Sequence, residues 1–296
     1  MINEEIFKFF PQHMQEIIAK ENLQLLEEIR IRNNLPLILK IGQAEKILDY
    51  KINTEDINYI FQKICENSVY SYQKQIASGY ITIKGGHRVG IVGTAVTDSD
   101  GQVTNFNYIS SLNFRIAREI RDCSNCLINE IIKNETSIYN TLLISPPGLG
   151  KTTLLRDITR KISNGVLGKI HGLNVVVIDE RGEISSTYRG IMQNDLGIRT
   201  DVINDITKAN GMKIAIRSMA PQVLIADEIG SVQDSDAIKY AMCCGVKGVF
   251  TAHGNSVEDV MKNPELKELI EEKIFEKIII IKSRCGTEYE FETTKM

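Results

Sequence analysis

The sequence has no long hydrophobic run, since no purely aliphatic stretch is longer than Ile278–Ile281. A helix that crosses a bilayer needs about 20 apolar residues, so we expect no membrane-spanning helix. A shorter apolar pattern near the N-terminus consists of Ile6, Phe7, Phe10, Met14, Ile17 and Ile18. Such a pattern is typical of a helix that faces its own domain's core, or of one that docks on a membrane or a partner.

An excess of one charge is also lacking, and aromatic residues are few. The chain has 35 Lys and Arg against 38 Asp and Glu, a net charge of -3, and 6% aromatic residues. This composition argues against a general attraction to nucleic acid and against a surface on which bases stack. A local basic groove, formed by segments such as "EIRIR" and "GGHRVG" in the N-terminal half, stays open as an alternative.

Cysteine is sparse and scattered. The six cysteines are residues 65, 123, 126, 243, 244 and 285, and no secretory signal pattern precedes them. We expect reduced thiols in a cytoplasmic protein, without structural disulfides. The Cys123-Ser-Asn-Cys126 spacing lacks the second ligand pair of a zinc site, which favours buried or spare thiols.

The pattern of the sequence changes near residue 122. Residues 24–121 combine strand-like alternation with one amphipathic helical segment, which predicts a small α+β domain with an antiparallel sheet. From residue 123 onward short apolar strands alternate with helices, which predicts an α/β domain with a mainly parallel sheet. We place the domains at residues 1–122 and 123–296. A last pair of strands around Cys285-Gly286 is expected to close one sheet edge.

The most specific motif is SPPGLGKTT, between a predicted strand and a predicted helix. Gly150, Lys151 and Thr152 match the second half of the G-x-x-x-x-G-K-[ST] phosphate loop. We expect main-chain N–H groups around two glycines to bind phosphate oxygens, Lys151 to contact the β and γ phosphates, and Thr152 to bind Mg2+. The predicted ATP-binding residues of the loop are Ser145, Pro146, Pro147, Gly148, Leu149, Gly150, Lys151, Thr152 and Thr153. Ser145 replaces the first glycine of the motif, with a modest expected effect because most of the binding amides come later.

Acidic residues follow two further predicted strands. Asp227 and Glu228 end the strand of "QVLIADEIG", at the edge where parallel sheets hold nucleotides. We expect Asp227 to hold Mg2+ and Glu228 to orient and deprotonate the attacking water. Asp179, Glu180 and Glu183 lie at the end of the strand in "VVVIDERGEI", which alone is weaker evidence for a site.

One histidine and several arginines complete the predicted site. His253 follows a strand at the same edge, where it either hydrogen-bonds the γ phosphate or serves as a structural residue. Hydrolysis also needs positive charge for the transition state, often from an arginine of a neighbouring domain or subunit. We favour Arg217 and the N-terminal pair Arg88 and Arg115. The remaining candidates are Arg118, Arg181 and Arg199.

These motifs carry a family resemblance. In order, SPPGLGKTT, VIDERGEI, IADEIG and TAHGNS resemble the phosphate loop, Asp box, Walker B motif and His box of the type II/IV secretion ATPase superfamily. More narrowly, SGYITIKGGHRVGIVG, FRIARE, GIRTDV and IRSMAPQVLIADEIG are similar to a sporulation family of endospore-forming bacteria. The resemblance covers about Ile29 to Val257.

The resemblance implies a RecA-like P-loop ATPase domain that uses ATP and Mg2+. It also implies a hexameric ring in the mother-cell cytoplasm, peripheral to the membrane, with nucleotide between the N- and C-terminal domains. Its partners would be the membrane components of the channel between mother cell and forespore. The family's roles fall on Gly148, Gly150, Lys151 and Thr152 in the loop, Asp179, Glu180 and Glu183 in the Asp box, Asp227 and Glu228 in Walker B, and His253 in the His box.

The resemblance also leaves the catalytic base open. Many secretion ATPases have glycine where this chain has Asp227, and they use a glutamate of the Asp box as the main base. Glu180 therefore competes with Glu228 for that role. We prefer Glu228, because Asp227 beside it completes a pair that can hold magnesium and water together.

Two other functions fit the same residues. A RecA-like ATPase that depends on nucleic acid would use the local basic groove, whereas a scaffold would bind nucleotide only to hold subunits together. We favour the motor, with no nucleic-acid partner, on the grounds of the overall charge and the few aromatic residues.

Overall fold

The structure is a computed structural model that describes residues 2–42, 44–117 and 119–296. The chain forms two compact units. The first consists of Met1–Arg118 with Tyr188–Gln193, and the second of Glu119–Thr187 with Asn194–Met296. The division after residue 122 stays a prediction about folding domains.

The first unit contains a six-stranded antiparallel sheet in the order β3-β2-β1-β6-β5-β4. Its elements are α1 Ile2–Phe7, α2 Gln12–Ile18, β1 Leu26–Arg32, β2 Pro36–Ile41, β3 Ala44–Lys51, α3 Thr54–Ile64, a 3-10 helix Val69–Tyr72, α4 Gln73–Ala77, β4 Tyr80–Thr82, β5 Arg88–Thr97 and β6 Val103–Arg115. The prediction of a small α+β domain is confirmed. Asn53 caps α3 in a capping box with Asp56.

The apolar N-terminal pattern belongs to the core of this unit. Ile6, Phe10, Met14 and Ile18 are all 1% exposed or less, and the Phe10 ring packs on that of Phe114 with centroids 4.9 Å apart. These side chains are therefore not a free docking surface for a membrane or a partner.

The second unit contains a seven-stranded sheet in the order β11-β10-β12-β13-β9-β14-β15. Its elements are α5 Ile128–Ile131, β7 Ile132–Asn134, β8 Ser137–Ile138, β9 Thr141–Ser145, α6 Lys151–Asn164, β10 Val175–Asp179, β11 Thr200–Asn204, α7 Lys208–Ser218, β12 Val223–Ala226, α8 Val232–Cys243, β13 Lys247–His253, α9 Val257–Val260, α10 Pro264–Glu271, β14 Lys277–Cys285 and β15 Glu288–Lys295. Each strand is parallel to its neighbours except β15, which forms the expected antiparallel hairpin with β14.

Alternation along these buried strands creates a core on each face of the sheet. On β9, Leu142 and Ile144 pack with side chains of α7, α8 and α10, while Leu143 packs on the opposite face with Leu154 and Ile158 of α6. Because the central strands are parallel, the residues after β9, β10, β12 and β13 all come to one edge of the sheet. This edge carries the predicted phosphate loop, both acidic groups and the histidine.

Within the described ranges, no helix combines the length and the apolar character that spanning a bilayer requires.

Candidate nucleotide-binding site

The phosphate loop joins β9 to α6. Gly148 and Gly150 have positive φ values of +84° and +81°, a conformation that residues with a side chain rarely adopt. Gly150 occupies the N-cap of α6 and offers no capping side chain, so an anion is a natural partner for the N–H groups of the first turn. The loop therefore has the backbone geometry that phosphate binding needs.

Ser145 ends β9, where it pairs with His253 of β13. Its side chain is buried, and its hydroxyl donates to the Pro146 carbonyl at 2.9 Å. Ser145 does not have positive φ, unlike the two later glycines, so the position accepts a side chain without backbone strain.

Lys151 and Thr152 meet the Walker B acids at the start of α6. The Thr152 hydroxyl donates to Asp227 Oδ2 at 2.7 Å, and Lys151 Nζ lies 3.7 Å from Asp227 Oδ1 and 3.8 Å from Glu228 Oε1. Lys151 is only 6% exposed. Burial lowers the pKa of its ammonium group, and the two carboxylates counteract part of that effect.

Glu228 is held by two cationic or polar partners. Its Oε1 lies 2.7 Å from His253 Nε2, and its Oε2 accepts a bond from Arg181 Nη1 at 2.9 Å. His253 Nδ1 in turn lies 3.5 Å from Lys151 Nζ. Glu228, His253 and Lys151 thus surround one small space at the sheet edge.

The Asp-box residues Asp179 and Glu180 bond mainly to their own loop and to α7, not to Lys151. The Asp179 carboxylate accepts bonds from the N–H groups of Glu183, Ile184 and Ser185 and from the Ser185 hydroxyl, so it stabilises its own loop. Glu180 forms an ion pair with Lys208 at the start of α7. A cavity of about 490 Å3 beside Glu180 and Glu228 is lined by the first turns of α7 and α8.

Of the candidate arginines in the second unit, Arg181 contacts Glu228, whereas Arg199 donates to the Ser163 carbonyl. Arg217 is exposed in the last turn of α7, which runs from the nucleotide edge of the sheet back toward the opposite edge. Arg88 and Arg115 face each other across β5 and β6 of the first unit, and the Arg88 guanidinium lies 4.7 Å from the centre of the Tyr80 ring. Arg118 lies outside the described residues. The roles of Arg217, Arg88 and Arg115 toward nucleotide stay predictions.

The residues at the sheet edge fit a magnesium ion only in part. Thr152 and Asp227 supply two hard oxygen ligands, as expected for an ion that also binds phosphate and water. No group of three His, Cys, Asp or Glu side chains in the described part of the chain could hold a metal by itself.

Three residues of this region were not found from the sequence. The hydroxyl of the buried Thr251 bonds to Asp227 and accepts the Glu228 N–H at 2.8 Å, so it fixes both acids. Arg284 and Tyr289 of the C-terminal hairpin contact the phosphate loop at Gly150. Thr251 lies two residues before His253 on the same strand, and this spacing could have identified it as a site residue. No local sequence pattern predicts the contacts of Arg284 and Tyr289 with the loop.

Comparisons with known proteins agree with this architecture. "X-ray structure of the Legionella pneumophila ATPase DotB" aligns with a TM-score of 0.63 and 16% identity, over 97% of this chain and 81% of that chain. The pilus retraction motor PilT, solved with bound ADP, aligns with a TM-score of 0.65 and 13% identity, over 93% and 80%. At these identities the likeness shows the fold, and it confirms the predicted RecA-like P-loop architecture preceded by a smaller α+β domain.

Sequence comparison identifies the family. The chain is 39% identical over 286 residues to stage III sporulation protein AA of Bacillus subtilis (strain 168), covering 95% of this chain and 92% of that protein. The model of the family described as "Sporulation stage III, protein AA" matches residues 2–288. The chain therefore belongs to the sporulation stage III protein AA family.

Proposed function

We propose that this protein is an ATPase that hydrolyses Mg-ATP. One observation carries the proposal: buried Lys151 and the Thr152 hydroxyl converge with Asp227 and Glu228 at the N-terminus of α6. A glycine-rich turn that had only a structural role would not need a buried lysine beside two carboxylates, since burying charge is costly.

Each residue has a distinct task in this proposal. Main-chain N–H groups of the loop and Lys151 bind the phosphates, while Thr152 and Asp227 would hold Mg2+. Bound Mg2+ supplies positive charge where negative charge develops on the phosphate oxygens. The hydrogen bond between Thr152 and Asp227 places side by side the two residues that would hold this metal.

Glu228 is the better candidate for the catalytic base. Arg181 and His253 contact Glu228 at the sheet edge beside Lys151, whereas Glu180 is paired with Lys208 at the start of α7. His253, between Glu228 and Lys151, is positioned to respond to a γ phosphate that binds at Lys151.

In the cell, we assign this ATPase to the mother-cell side of a sporulating bacterium. Family membership and the secretion-ATPase fold support a role in assembling or operating a channel between mother cell and forespore. The protein would act as a hexamer, peripheral to the membrane, and bind membrane components of that channel. Nucleic acid is not an expected partner.

Phosphate release by the purified protein tests the proposal. Lys151→Ala should abolish turnover and weaken ATP binding, whereas Lys262→Ala, which removes an exposed lysine, should leave both unchanged. Turnover by Lys151→Ala at the wild-type rate would exclude this site.

The same assay separates the alternatives. Tight ATP binding without phosphate release at any protein concentration would favour a scaffold. Turnover that single-stranded DNA stimulates, and that salt suppresses steeply, would favour a nucleic-acid-dependent ATPase.

A further inference from the structure

The C-terminal hairpin, formed by β14 and β15, adds a second cation to the phosphate loop. The last register pair between β14 and β9 is Ile280 with Ile144, and β14 then continues to Cys285. Its end therefore extends past the sheet edge beside the loop that follows β9. Arg284 lies in this extension.

Two contacts bring the hairpin against Gly150. The buried Tyr289 hydroxyl donates to the Gly150 carbonyl at 3.3 Å, and a side chain at residue 150 would collide with the Arg284 guanidinium. The positive φ of residue 150 favours glycine, and the absence of a side chain there lets the arginine approach the loop closely. Burial raises the pKa of Tyr289 to about 12, so the hydroxyl keeps its proton and remains a donor.

The Arg284 guanidinium is held in place but keeps its charge available. It lies 5.4 Å from the centre of the Tyr289 ring, and its Nε donates to the Gly286 carbonyl at 2.8 Å. Within the described residues, no carboxylate forms an ion pair with it, in contrast to Lys151 and Lys208. A fixed arginine whose terminal nitrogens have no carboxylate partner suits an anion.

The strand order indicates which phosphate of a bound nucleotide would lie near Arg284. The acids and His253 stand on β12 and β13, on one side of β9, whereas the hairpin stands on the other side. A nucleoside triphosphate whose γ phosphate points toward Glu228 must therefore extend its α phosphate and nucleoside toward the hairpin. This step rests on the proposed function, which fixes the position of the γ phosphate.

We propose that Arg284 binds the α phosphate of the nucleotide, and that Tyr289 positions both Arg284 and Gly150 for this contact. Arg284 would then contribute equally to the binding of ATP and of ADP, since both carry an α phosphate. Lys151, Asp227 and Glu228 would act at the other end of the nucleotide, where the γ phosphate is cleaved.

Equilibrium binding of ADP to the full-length protein tests the assignment. Arg284→Gln should raise the Kd for ADP and for a non-hydrolysable ATP analogue by the same factor, about tenfold for the loss of one charge-assisted hydrogen bond. Arg284→Lys should recover part of the loss. Lys282→Gln removes the same charge from an exposed position on the same strand and should bind like the wild type.

Steady-state kinetics give a second readout. Arg284→Gln should raise KM and leave kcat within about twofold of the wild-type value, because uniform binding is lost rather than transition-state stabilisation. Unchanged ADP affinity in Arg284→Gln, or a loss confined to the ATP analogue, would overturn the assignment. If the wild-type protein releases no phosphate, the proposed hydrolysis is refuted. If Arg284→Gln nevertheless weakens ADP binding, the proposed α-phosphate site is supported.

Discussion

At Glu228 the backbone has a φ of +53°, a left-handed conformation that residues with a side chain seldom adopt. The Glu228 N–H bonds to the Thr251 hydroxyl, and the carboxylate contacts Arg181 and His253. Strained conformations of this kind persist where the surroundings hold them, often at functional sites. The strain at Glu228 agrees with its proposed role as the base.

Replacing Glu228 by Gln should therefore separate binding from hydrolysis. We expect kcat to fall by at least about 100-fold, because the amide cannot accept a proton, while ATP binding is retained. Steady-state phosphate release and equilibrium binding measure the two effects. Glu180→Gln is the matched comparison and should have the smaller effect, so a reversed order would transfer the role of base to Glu180.

Thr152 allows a test of the metal ligand. Thr152→Val removes the hydroxyl at nearly constant volume. The Mg2+ concentration that gives half-maximal turnover should therefore rise by about tenfold or more. Thr152→Ser keeps the hydroxyl and should behave like the wild type. A Mg2+ titration of phosphate release distinguishes them, and identical curves for Val and wild type would count against the ligand.

Among the elements, α6 connects the phosphate loop to the chain segment at residues 122–124. The buried Asp157 on α6 accepts bonds from the Asp122 and Ser124 N–H groups, the Ser124 hydroxyl and Arg160. Burial alone raises the pKa of Asp157, but these donors outweigh it and lower the pKa to about 2. The segment is thus held against the helix that carries Lys151 and Thr152.

This network predicts a pH-dependent contribution to stability. The folded pKa of Asp157 is below the usual value near 4, so the stabilisation of about 2 kcal/mol is complete above that value and is lost as the pH falls toward 2. The stability difference between wild type and Asp157→Asn, measured by urea unfolding, should shrink over this range. Asp201→Asn, at an exposed position on β11, should show no such trend.

At the scale of the whole molecule, the sheet topology places Arg217 away from the predicted nucleotide site of its own chain. Since α7 carries it away from the nucleotide edge of its own sheet, we predict that Arg217 contacts nucleotide at a site of an adjacent subunit. The same reasoning predicts that turnover rises with assembly, and phosphate release measured against protein concentration checks this.

Mixing two inactive variants tests Arg217 directly. Arg217→Ala alone should lose about 10³-fold in turnover, whereas its mixture with Lys151→Ala should regain activity at sites with both residues intact. A mixture of Lys151→Ala with Glu228→Gln should not regain activity, because both changes affect the same sheet edge within one subunit. Full activity of Arg217→Ala alone would remove this arginine from the mechanism.

Local patterns predicted that the main residues of the candidate site lie close together, because each group of them directly follows a strand of the same parallel sheet. Gly148 to Thr152 lie between a buried strand and an amphipathic helix, and Asp227 and Glu228 directly follow another buried strand, so parallel pairing brings them to one edge. Ordered motifs likewise indicated the family and the RecA-like fold, which the comparisons confirm.

The sequence by itself thus determined the fold class and the phosphate loop, since both depend on short-range periodicity and on backbone conformations that glycine permits. Only the tertiary structure decided which side chains meet across long separations. It paired Glu180 with Lys208, placed Arg217 at the far end of α7, and brought Arg284 and Tyr289 to Gly150. The physical reason is that such contacts depend on strand order and on how far each strand extends, and neither quantity is encoded in the neighbouring residues.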